Sequence, residues 1–248
     1  MTAGVVRGRP GPPAHYARRM RTWSFRTADD PTPPALGGRL CLAFVNSILW
    51  RRSAEPTDLL VDYRAMVAYL SRAGLLTARE RAALDTGAAA HPIVARRVHA
   101  GAMALREALF RLLSAVAHDT RPAPADVAVL TTRLQEGLAH LKIVGSDGGS
   151  LVASWRASGR RLEWPVWEIA GSAAGLLLSG EPTWLKQCPG ERCGWLFVDR
   201  SRSHTRRWCA SSMCGNRDRA RRHHQRVRHA ATRAYHAARD TATKPSDS

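Results

Sequence analysis

Apolar residues recur every three or four positions through four segments of the chain before residue 142, and this spacing predicts amphipathic helices. The four stripes are Leu42, Val45 and Leu49; Tyr63, Met66, Val67 and Leu70; Val98, Leu105, Leu109, Leu112 and Val116; and Val127, Leu130, Leu134, Leu138 and Leu141. Stripes of this kind usually form the core of a helical bundle rather than a ligand surface, so we expect a helical domain.

Local signals mark where several of these helices begin and end. Thr77 and Glu80 have the spacing of a capping box, in which both side chains bind free backbone amides of the first turn. Pro92 predicts the start of a long helix because proline is favoured at the first helical position, and Pro122–Asp126 predicts the next start. The stripe that includes Leu70 is expected to stop before Gly74.

The pattern changes beyond residue 150. Leu151–Trp155 and Arg161–Val166 flank the turn-like Ala157–Gly159, which predicts a small β-hairpin. Trp167–Leu178 returns to a helical pattern, and Gly180 is suited to a left-handed cap after that helix.

Three residues are candidates for lining a ligand pocket in this helical part: Asn46, Trp155 and Trp164. Each has an alternative structural role. The two tryptophans could instead anchor the hairpin on the helices. Asn46 is a polar residue in an apolar segment and could instead form a cap or a hydrogen bond in the core.

Four of the five cysteines form two pairs with the same spacing, Cys188 with Cys193 and Cys209 with Cys214. Two short-gap pairs are typical of a tetrahedral zinc site, and thiolates favour zinc over magnesium or calcium. Disulfides would need an oxidising compartment, and no export signal is apparent. The remaining Cys41 is expected to be a small buried apolar residue. We therefore expect one structural Zn²⁺ held by the two pairs.

The residues around the cysteines predict a small finger whose folding depends on zinc. Trp195–Val198 is apolar and β-prone, and Arg206–Cys209 is expected to return as its partner strand. Gly215 and Asn216 suit a left-handed turn and an N-cap, so a helix is expected from Arg217 onwards. The result is a ββα-like finger that ends in a basic helix. His204 lies between the cysteine pairs but is not needed as a ligand.

The formal net charge of +18 and a pI near 11.3 indicate a polyanionic partner. The location of the arginines is more informative than their number, because nearly all basic residues are arginine. The candidate nucleic-acid contacts are Arg200, Arg202, Arg206, Arg207, Arg217, Arg219, Arg221, Arg222, Arg226 and Arg228. We expect duplex DNA to be the partner. The alternative is an RNA-binding or protein-interaction module that uses the same helix.

Several function classes are disfavoured. No apolar run is long enough to cross a membrane, and the N-terminal segment has no apolar core of a secretory signal. We therefore expect a cytoplasmic, nucleoid-associated protein with no membrane partner. We also expect no enzymatic activity, because four cysteines would close the zinc site and the chain has no recognised catalytic motif.

The segment Cys214-Gly-Asn-Arg217 resembles the CGNR zinc finger, as do Cys193–Asp199 and Arg206–Cys209 before it. Leu40–Asn46 and the helices after it look like the ABATE domain that usually precedes this finger in bacterial proteins. The resemblance implies a stress-induced transcription regulator with a ligand- or signal-sensing helical domain and a DNA-binding finger. A small-molecule effector at the N-terminal domain and a homodimer are further candidates.

The predicted architecture is mainly α, with four segments along the chain. Residues 1–36 are expected to be a disordered extension, and residues 37–180 the ABATE-like helical sensor domain with its small hairpin. Residues 181–235 are expected to form the CGNR-type finger with its basic helix, and residues 236–248 a disordered tail.

Overall fold

The computed structural model describes residues 39–145, 151–156 and 161–242. The expectations for residues 1–36, for the turn at 157–159 and for residues 243–248 lie outside this part of the chain. The described helices are α1 (Leu40–Val45), α2 (Tyr63–Arg72), α3 (Ala78–Ala90), α4 (Pro92–Ala117), α5 (Pro124–Leu138), α6 (Trp164–Leu178) and α7 (Asn216–Ala242). The mainly helical fold predicted from the sequence is confirmed.

The described strands form three antiparallel pairs. They are β1 (Ile48–Leu49) with β2 (Thr57–Asp58), β3 (Lys142–Gly145) with β4 (Leu151–Ser154), and β5 (Leu185–Gln187) with β6 (Leu196–Val198). Each pair is too small to form a core of its own, so the strands serve to connect and orient the helices.

Helix α1 lies at the centre of the main core. All six of its residues are buried, and it packs against α4 and α6. Helix α6 is almost equally apolar and is buried from Trp164 to Ala174. A helix without a polar face is stable only when neighbours cover it on all sides, which accounts for the central position of α1.

The start and stop signals of the sequence are confirmed where they depend on local chemistry. The Glu80 amide donates to Thr77 Oγ1 at 3.2 Å, and the Thr77 amide donates to Glu80 Oε2 at 2.8 Å, which completes the capping box. Pro92 is the first residue of α4. Gly74 follows α2 with a φ of 81°, a conformation that glycine adopts without steric strain.

The predicted pairing of the hairpin is wrong. Strand β4 pairs with the preceding β3, with Lys142 opposite Ser154 and Gly145 opposite Leu151. Arg161–Val166, expected as the second strand, instead leads into the first turn of α6. Pro165 explains the difference because proline lacks the amide needed for a strand ladder and is favoured in the first helical turn.

Three further expectations differ in detail. The first helix ends at Val45, and Leu49 lies in β1 because the chain turns there to meet β2. Gly180 has a φ of −75° and is not a left-handed cap; the Ser179 hydroxyl accepts from the Glu181 amide at 3.1 Å instead. The stripe on α5 is only partly buried, since Val127 and Leu138 are 44% and 50% exposed at the edge of the bundle.

None of the helices within the described ranges is both long enough and apolar enough to span a membrane.

Candidate metal centre and nucleic-acid interface

The structure brings the two cysteine pairs together. The four sulfur atoms lie within 4.8 Å of one another, and all four residues are buried: Cys188, Cys193, Cys209 and Cys214. The Cys193 and Cys209 sulfurs are 3.6 Å apart, and those of Cys209 and Cys214 are 3.7 Å apart. Tetrahedral zinc with Zn–S bonds of about 2.3 Å requires sulfurs about 3.8 Å apart. The donor set and its spacing therefore fit one structural zinc ion.

The first cysteine pair is positioned by the hairpin of β5 and β6. Cys188 directly follows β5, and its amide donates to the Trp195 carbonyl at 2.7 Å. The Cys193 amide donates to the Gly190 carbonyl at 2.9 Å, which closes the turn between the two thiols. A Cβ atom on Gly190 would lie 3.1 Å from the Cys193 Cβ and 3.4 Å from the Cys214 sulfur, so a side chain there would press on both cysteines.

Cys214 of the second pair lies in a single π-helical turn, Ser211–Gly215, that leads directly into α7. The expected left-handed turn and N-cap at Gly215 and Asn216 are wrong. Asn216 has a helical φ of −63°, and its side-chain amide donates to the Ser212 carbonyl at 2.8 Å. Because Cys214 lies in this turn, zinc bound at the cluster would fix the first residues of α7.

The predicted strand partner within the finger is also wrong. Strand β6 pairs with β5 rather than with Arg206–Cys209. The Arg206 amide, which a strand ladder would use, donates to Asp199 Oδ2 at 2.9 Å. The position of Arg206–Cys209 is therefore fixed by a hydrogen bond to the Asp199 side chain and not by a strand ladder.

Asp199 organises the loop between the cysteine pairs, and the sequence reasoning did not identify this role. Its fully buried carboxylate accepts from the Lys186 ammonium at 2.6 Å, from the Ser201 hydroxyl at 2.6 Å and from the Arg206 amide. Burial alone would raise the pKa of Asp199, but Lys186 and Ser201 hold it well below its usual range. A single carboxylate after an apolar strand and before a basic loop is the signal that could have revealed it.

The electrostatics of the cysteine cluster favour a bound cation. Cys193 and Cys209 donate to the Cys188 sulfur, which holds the pKa of Cys188 well below its usual range. The same contact raises the pKa of Cys193 and of Cys209, and burial raises that of Cys214. Four thiols this close cannot all ionise unless a positive charge lies among them.

Two other candidate ligands lie elsewhere in the described structure. His204 stacks on Trp184 with ring centroids 3.6 Å apart, and its Nδ1 lies 2.7 Å from the Asp199 carbonyl. Cys41 is buried in α1, where its amide donates to the Ser172 hydroxyl at 3.1 Å. Neither belongs to the cysteine cluster.

The finger contacts the N-terminal helices through residues 46–52, which we call the docking segment. The Asn46 side chain donates to the Leu196 carbonyl at 2.8 Å and accepts from the Leu196 amide at 2.9 Å. The Trp195 indole donates to the Ile48 carbonyl at 2.9 Å, and Leu49 packs against the buried residues around the cysteines. The finger is therefore held by backbone and side-chain contacts on both sides of β6.

Three of the ten candidate arginines either hold their own loop in place or contact residues that precede the cysteine pairs. Arg206 donates to the Trp208 and Cys209 carbonyls and lies 4.6 Å from the centre of the Phe197 ring. The Arg217 guanidinium stacks on the Trp50 ring at 3.9 Å. Arg200 pairs with Glu181 at 3.2 Å. Arg217 is therefore a brace between the finger and the docking segment.

The other seven arginines are exposed, as Arg200 and Arg217 also are: Arg202, Arg207, Arg219, Arg221, Arg222, Arg226 and Arg228. Arg221 and Arg222 pair with Asp218 on the same helix, Arg219 donates to Asn216, and Arg207 lies over Trp208. Arg202, Arg226 and Arg228 have no carboxylate partner in the part of the chain that the structure describes. These three have their charge fully available to a polyanion.

The three candidate pocket residues each have a packing partner. Asn46 binds β6, as described above. The Trp155 indole donates to the Gly137 carbonyl at 2.7 Å, and its ring lies where a Cβ atom on Gly171 would be 2.6 Å away. Trp164 is buried, with the Arg156 guanidinium 5.4 Å from its ring centre. A pocket shared by these residues stays a prediction.

Two family models match the chain. ABATE, described as "Putative stress-induced transcription regulator", matches residues 38–180, and the CGNR zinc finger matches residues 184–227. A search of curated proteins gives no match. Both family resemblances predicted from the sequence are confirmed, and the second match includes all four clustered cysteines and the first twelve residues of α7.

Proposed function

Because this chain belongs to the ABATE family of transcription regulators and carries a CGNR zinc finger, we propose that it acts by binding duplex DNA through α7. Zinc fixes the start of the helix, and the exposed arginines contact phosphates and base edges. In this mechanism the protein acts by occupying DNA through charge and shape complementarity, without catalysing a reaction. This proposal implies a location at the nucleoid.

The observation that carries the proposal is the combination of length, charge and exposure in α7. Its 27 residues correspond to a helix about 40 Å long, and the described side chains beyond Asp218 are exposed. Asp218 is the only acidic residue between 216 and 233. A single α-helix fits the major groove of B-form DNA, where arginine can bind guanine edges with two hydrogen bonds.

The contacts within the finger divide the arginines into two groups. Arg206 and Arg217 hold the finger together and dock it, so their loss would affect binding through structure. Arg226 and Arg228 lie on the exposed part of α7 without carboxylate partners among the described residues, so we assign them direct contacts with DNA. The proposed contact face of α7 is therefore the part that carries Arg226 and Arg228, rather than the whole basic surface.

We further propose that the helical N-terminal domain senses a signal and passes it to the finger through the docking segment. The contacts of Asn46, Ile48 and Trp50 with the finger support this route. We propose no catalytic role, since a zinc ion held by four thiolates has no open coordination position for a substrate. A homodimer stays a prediction.

The test is a titration of the zinc-loaded protein with the duplex upstream of its own gene and with an unrelated duplex, over a range of salt concentrations. We expect tighter binding to the first duplex and a steep fall in affinity with salt. Arg226→Ala and Arg228→Ala should each reduce the salt slope by about one while leaving the zinc content unchanged. Arg79→Ala removes an exposed charge from α3 and is the matched control.

Equal binding by the wild type and by the double variant at Arg226 and Arg228, with the same salt slope, would exclude these two residues of α7 as the DNA contacts. Preferential binding to RNA over both duplexes would identify RNA as the partner instead. The zinc content measured on each sample separates loss of a contact from loss of the finger.

A further inference from the structure

A cavity of about 390 Å³ lies between the docking segment, the first cysteine turn and the first turns of α7. Its walls include two tryptophans, three arginines and two carboxylates. These are Trp50 and Trp208, Arg192, Arg217 and Arg221, and Glu191 and Asp218. The volume is within the range of about 300–1,000 Å³ typical of small-molecule sites, which often occur where two domains meet.

Trp50 forms one wall of this cavity in an unusual backbone conformation. Its φ is 55°, in the left-handed region, where a bulky side chain is a rare outlier. Such strain persists only where the surrounding structure enforces it, and it often occurs at ligand-binding sites. The surroundings here are two guanidinium groups, with Arg217 at 3.9 Å and Arg192 at 5.8 Å from the ring centre.

The two carboxylates of the wall already have a cationic partner. Arg221 lies 3.0 Å from Asp218 and 3.6 Å from Glu191. Arg192 and Arg217 have no carboxylate partner among the residues that the structure describes. A guanidinium that stacks on an aromatic ring uses its face, so its N–H groups stay available for a planar anion at its edge.

The zinc centre limits the charge of a ligand that could bind here. Zinc with four thiolates carries a net formal charge of about −2, and Cys193 and Cys214 border the cavity. Arg206 donates to the Cys209 carbonyl and Arg207 lies over the Trp208 ring, and their two positive charges offset much of this charge. The balance favours a ligand with a single negative charge over a polyanion.

We propose that this cavity binds a small aromatic carboxylate. The ring would contact the indole wall of Trp50 and Trp208, and the carboxylate would accept hydrogen bonds from Arg217 and Arg192. The site goes beyond the proposed DNA binding and does not require it. Because Arg217 also links α7 to the docking segment, the ligand would occupy the contact through which the finger is held.

The test is calorimetric titration of the zinc-loaded full-length protein, without nucleic acid, with benzoate and with indole-3-acetate. Benzyl alcohol supplies a ring without charge, and acetate supplies the charge without a ring. We expect saturable binding of the aromatic carboxylates with dissociation constants below about 1 mM, and at least about tenfold weaker binding of both controls. No saturable binding of either aromatic carboxylate at 10 mM would overturn the proposal.

Variants locate the site. Arg217→Gln should weaken binding at least about tenfold, and Arg217→Lys should be intermediate because it keeps the charge but loses the planar fork. Trp50→Asn keeps a residue that tolerates the left-handed region and should remove the preference for the aromatic acids over acetate. Arg79→Gln is the matched control and should bind as the wild type does.

Zinc content is measured for every variant. If Arg217→Gln loses zinc, Arg192→Gln tests the same site, because its backbone contact with the Arg52 amide at 3.2 Å is retained. Unchanged affinity in a zinc-loaded Arg217 or Arg192 variant would place the ligand elsewhere and overturn the assignment. The titration contains no DNA, so its failure leaves the proposed function untouched.

Discussion

Arginines that look equivalent in the sequence have different roles in the structure. Arg206 binds the backbone of its own loop, Arg217 stacks on Trp50, and Arg226 extends into solvent. Charge density predicts that a polyanion will bind near these residues, but it does not tell which guanidinium is free to do so. That distinction depends on contacts with Trp50 and Phe197. Neither ring carries a charge, and Trp50 is distant from Arg217 in sequence, so the charge pattern does not reveal these contacts.

A second residue-scale feature is Glu168, a carboxylate in α6 that is only 7% exposed. Burial raises its pKa above the ordinary value of 4.5, and Arg156, with its Nε 3.7 Å away, offsets this only in part. A carboxyl whose pKa is raised by folding destabilises the fold where it is ionised, so this contribution to stability falls as pH rises through the folded pKa.

We therefore predict that Glu168→Gln raises the melting temperature relative to the wild type at pH 7, and that the difference disappears below about pH 4.5. Thermal unfolding of both proteins across this pH range provides the measurement. Glu80→Gln is the control with the opposite sign, because hydrogen bonds with Thr77 lower the pKa of Glu80 despite its partial burial. A lower melting temperature of Glu168→Gln at pH 7 would show that the Arg156 pair outweighs the burial.

At the scale of elements, the π-helical turn Ser211–Gly215 connects the zinc centre to α7. Removal of the Cys214 thiolate leaves three sulfur ligands and frees the turn that precedes the helix. We predict that Cys214→Ser lowers the zinc content from one to well below one ion per chain and reduces helical circular dichroism. Isolated helices are marginally stable in water, so α7 should become less helical once the zinc-bound turn no longer holds its first residues.

Cys41→Ser is the matched control for this prediction. It also removes one buried thiol, but from α1, outside the cysteine cluster. We expect this variant to retain one zinc ion per chain, measured by atomic absorption on the folded protein. Full zinc content in the Cys214 variant, or loss of zinc from the Cys41 variant, would contradict the assignment of the ligands.

The elements that the sequence predicts correctly are those with local determinants. The capping box at Thr77 and the proline that begins α4 depend on residues within one helical turn. The cysteine cluster is predicted because ligand spacing itself encodes the chemistry. The partner of β6 is not predicted, since β5 has only three residues without clear alternation, and the carboxylate of Asp199 takes the amide of Arg206.

The pocket beside the zinc centre shows why the rest of the site is beyond sequence reasoning. Trp50 precedes Arg217 by most of the length of the chain, and only tertiary contacts place them together. The sequence predicts Asn46, Trp155 and Trp164 as pocket residues, and the two tryptophans are candidates because they are near one another in sequence. The structure instead packs Trp155 against Gly137 and Gly171, and at Gly171 a Cβ atom would clash with the indole at 2.6 Å.

At the scale of the whole molecule, the finger is joined to the N-terminal helices by the two hydrogen bonds between Asn46 and Leu196. Loss of the Asn46 side chain would leave the amide and the carbonyl of Leu196 buried without partners, which costs about 2 kcal/mol. This cost destabilises the zinc-bound finger relative to the zinc-free chain. We therefore predict that the equilibrium for zinc transfer from Asn46→Ala to a competing chelator is about 30-fold more favourable than for the wild type. Zinc transfer to a chromogenic chelator measures the effect.

The matched control is Thr131→Ala, which removes a hydrogen bond of the same kind on the exposed side of α5. This variant should release zinc as the wild type does. If Asn46→Ala also releases zinc at the wild-type level, the finger is stable on its own and the docking segment serves only to orient it.

Asn46 binds Leu196 entirely through the main chain of that residue, as a neighbouring strand would. The contact therefore recognises no side chain at position 196, whereas at position 46 it needs the donor and the acceptor of a primary amide. Chimeras that combine this N-terminal domain with the finger of a relative should accept many apolar residues at 196 but should fail when 46 is changed. The presence of asparagine at position 46 would then be sufficient for an N-terminal domain to pair with the finger of a relative.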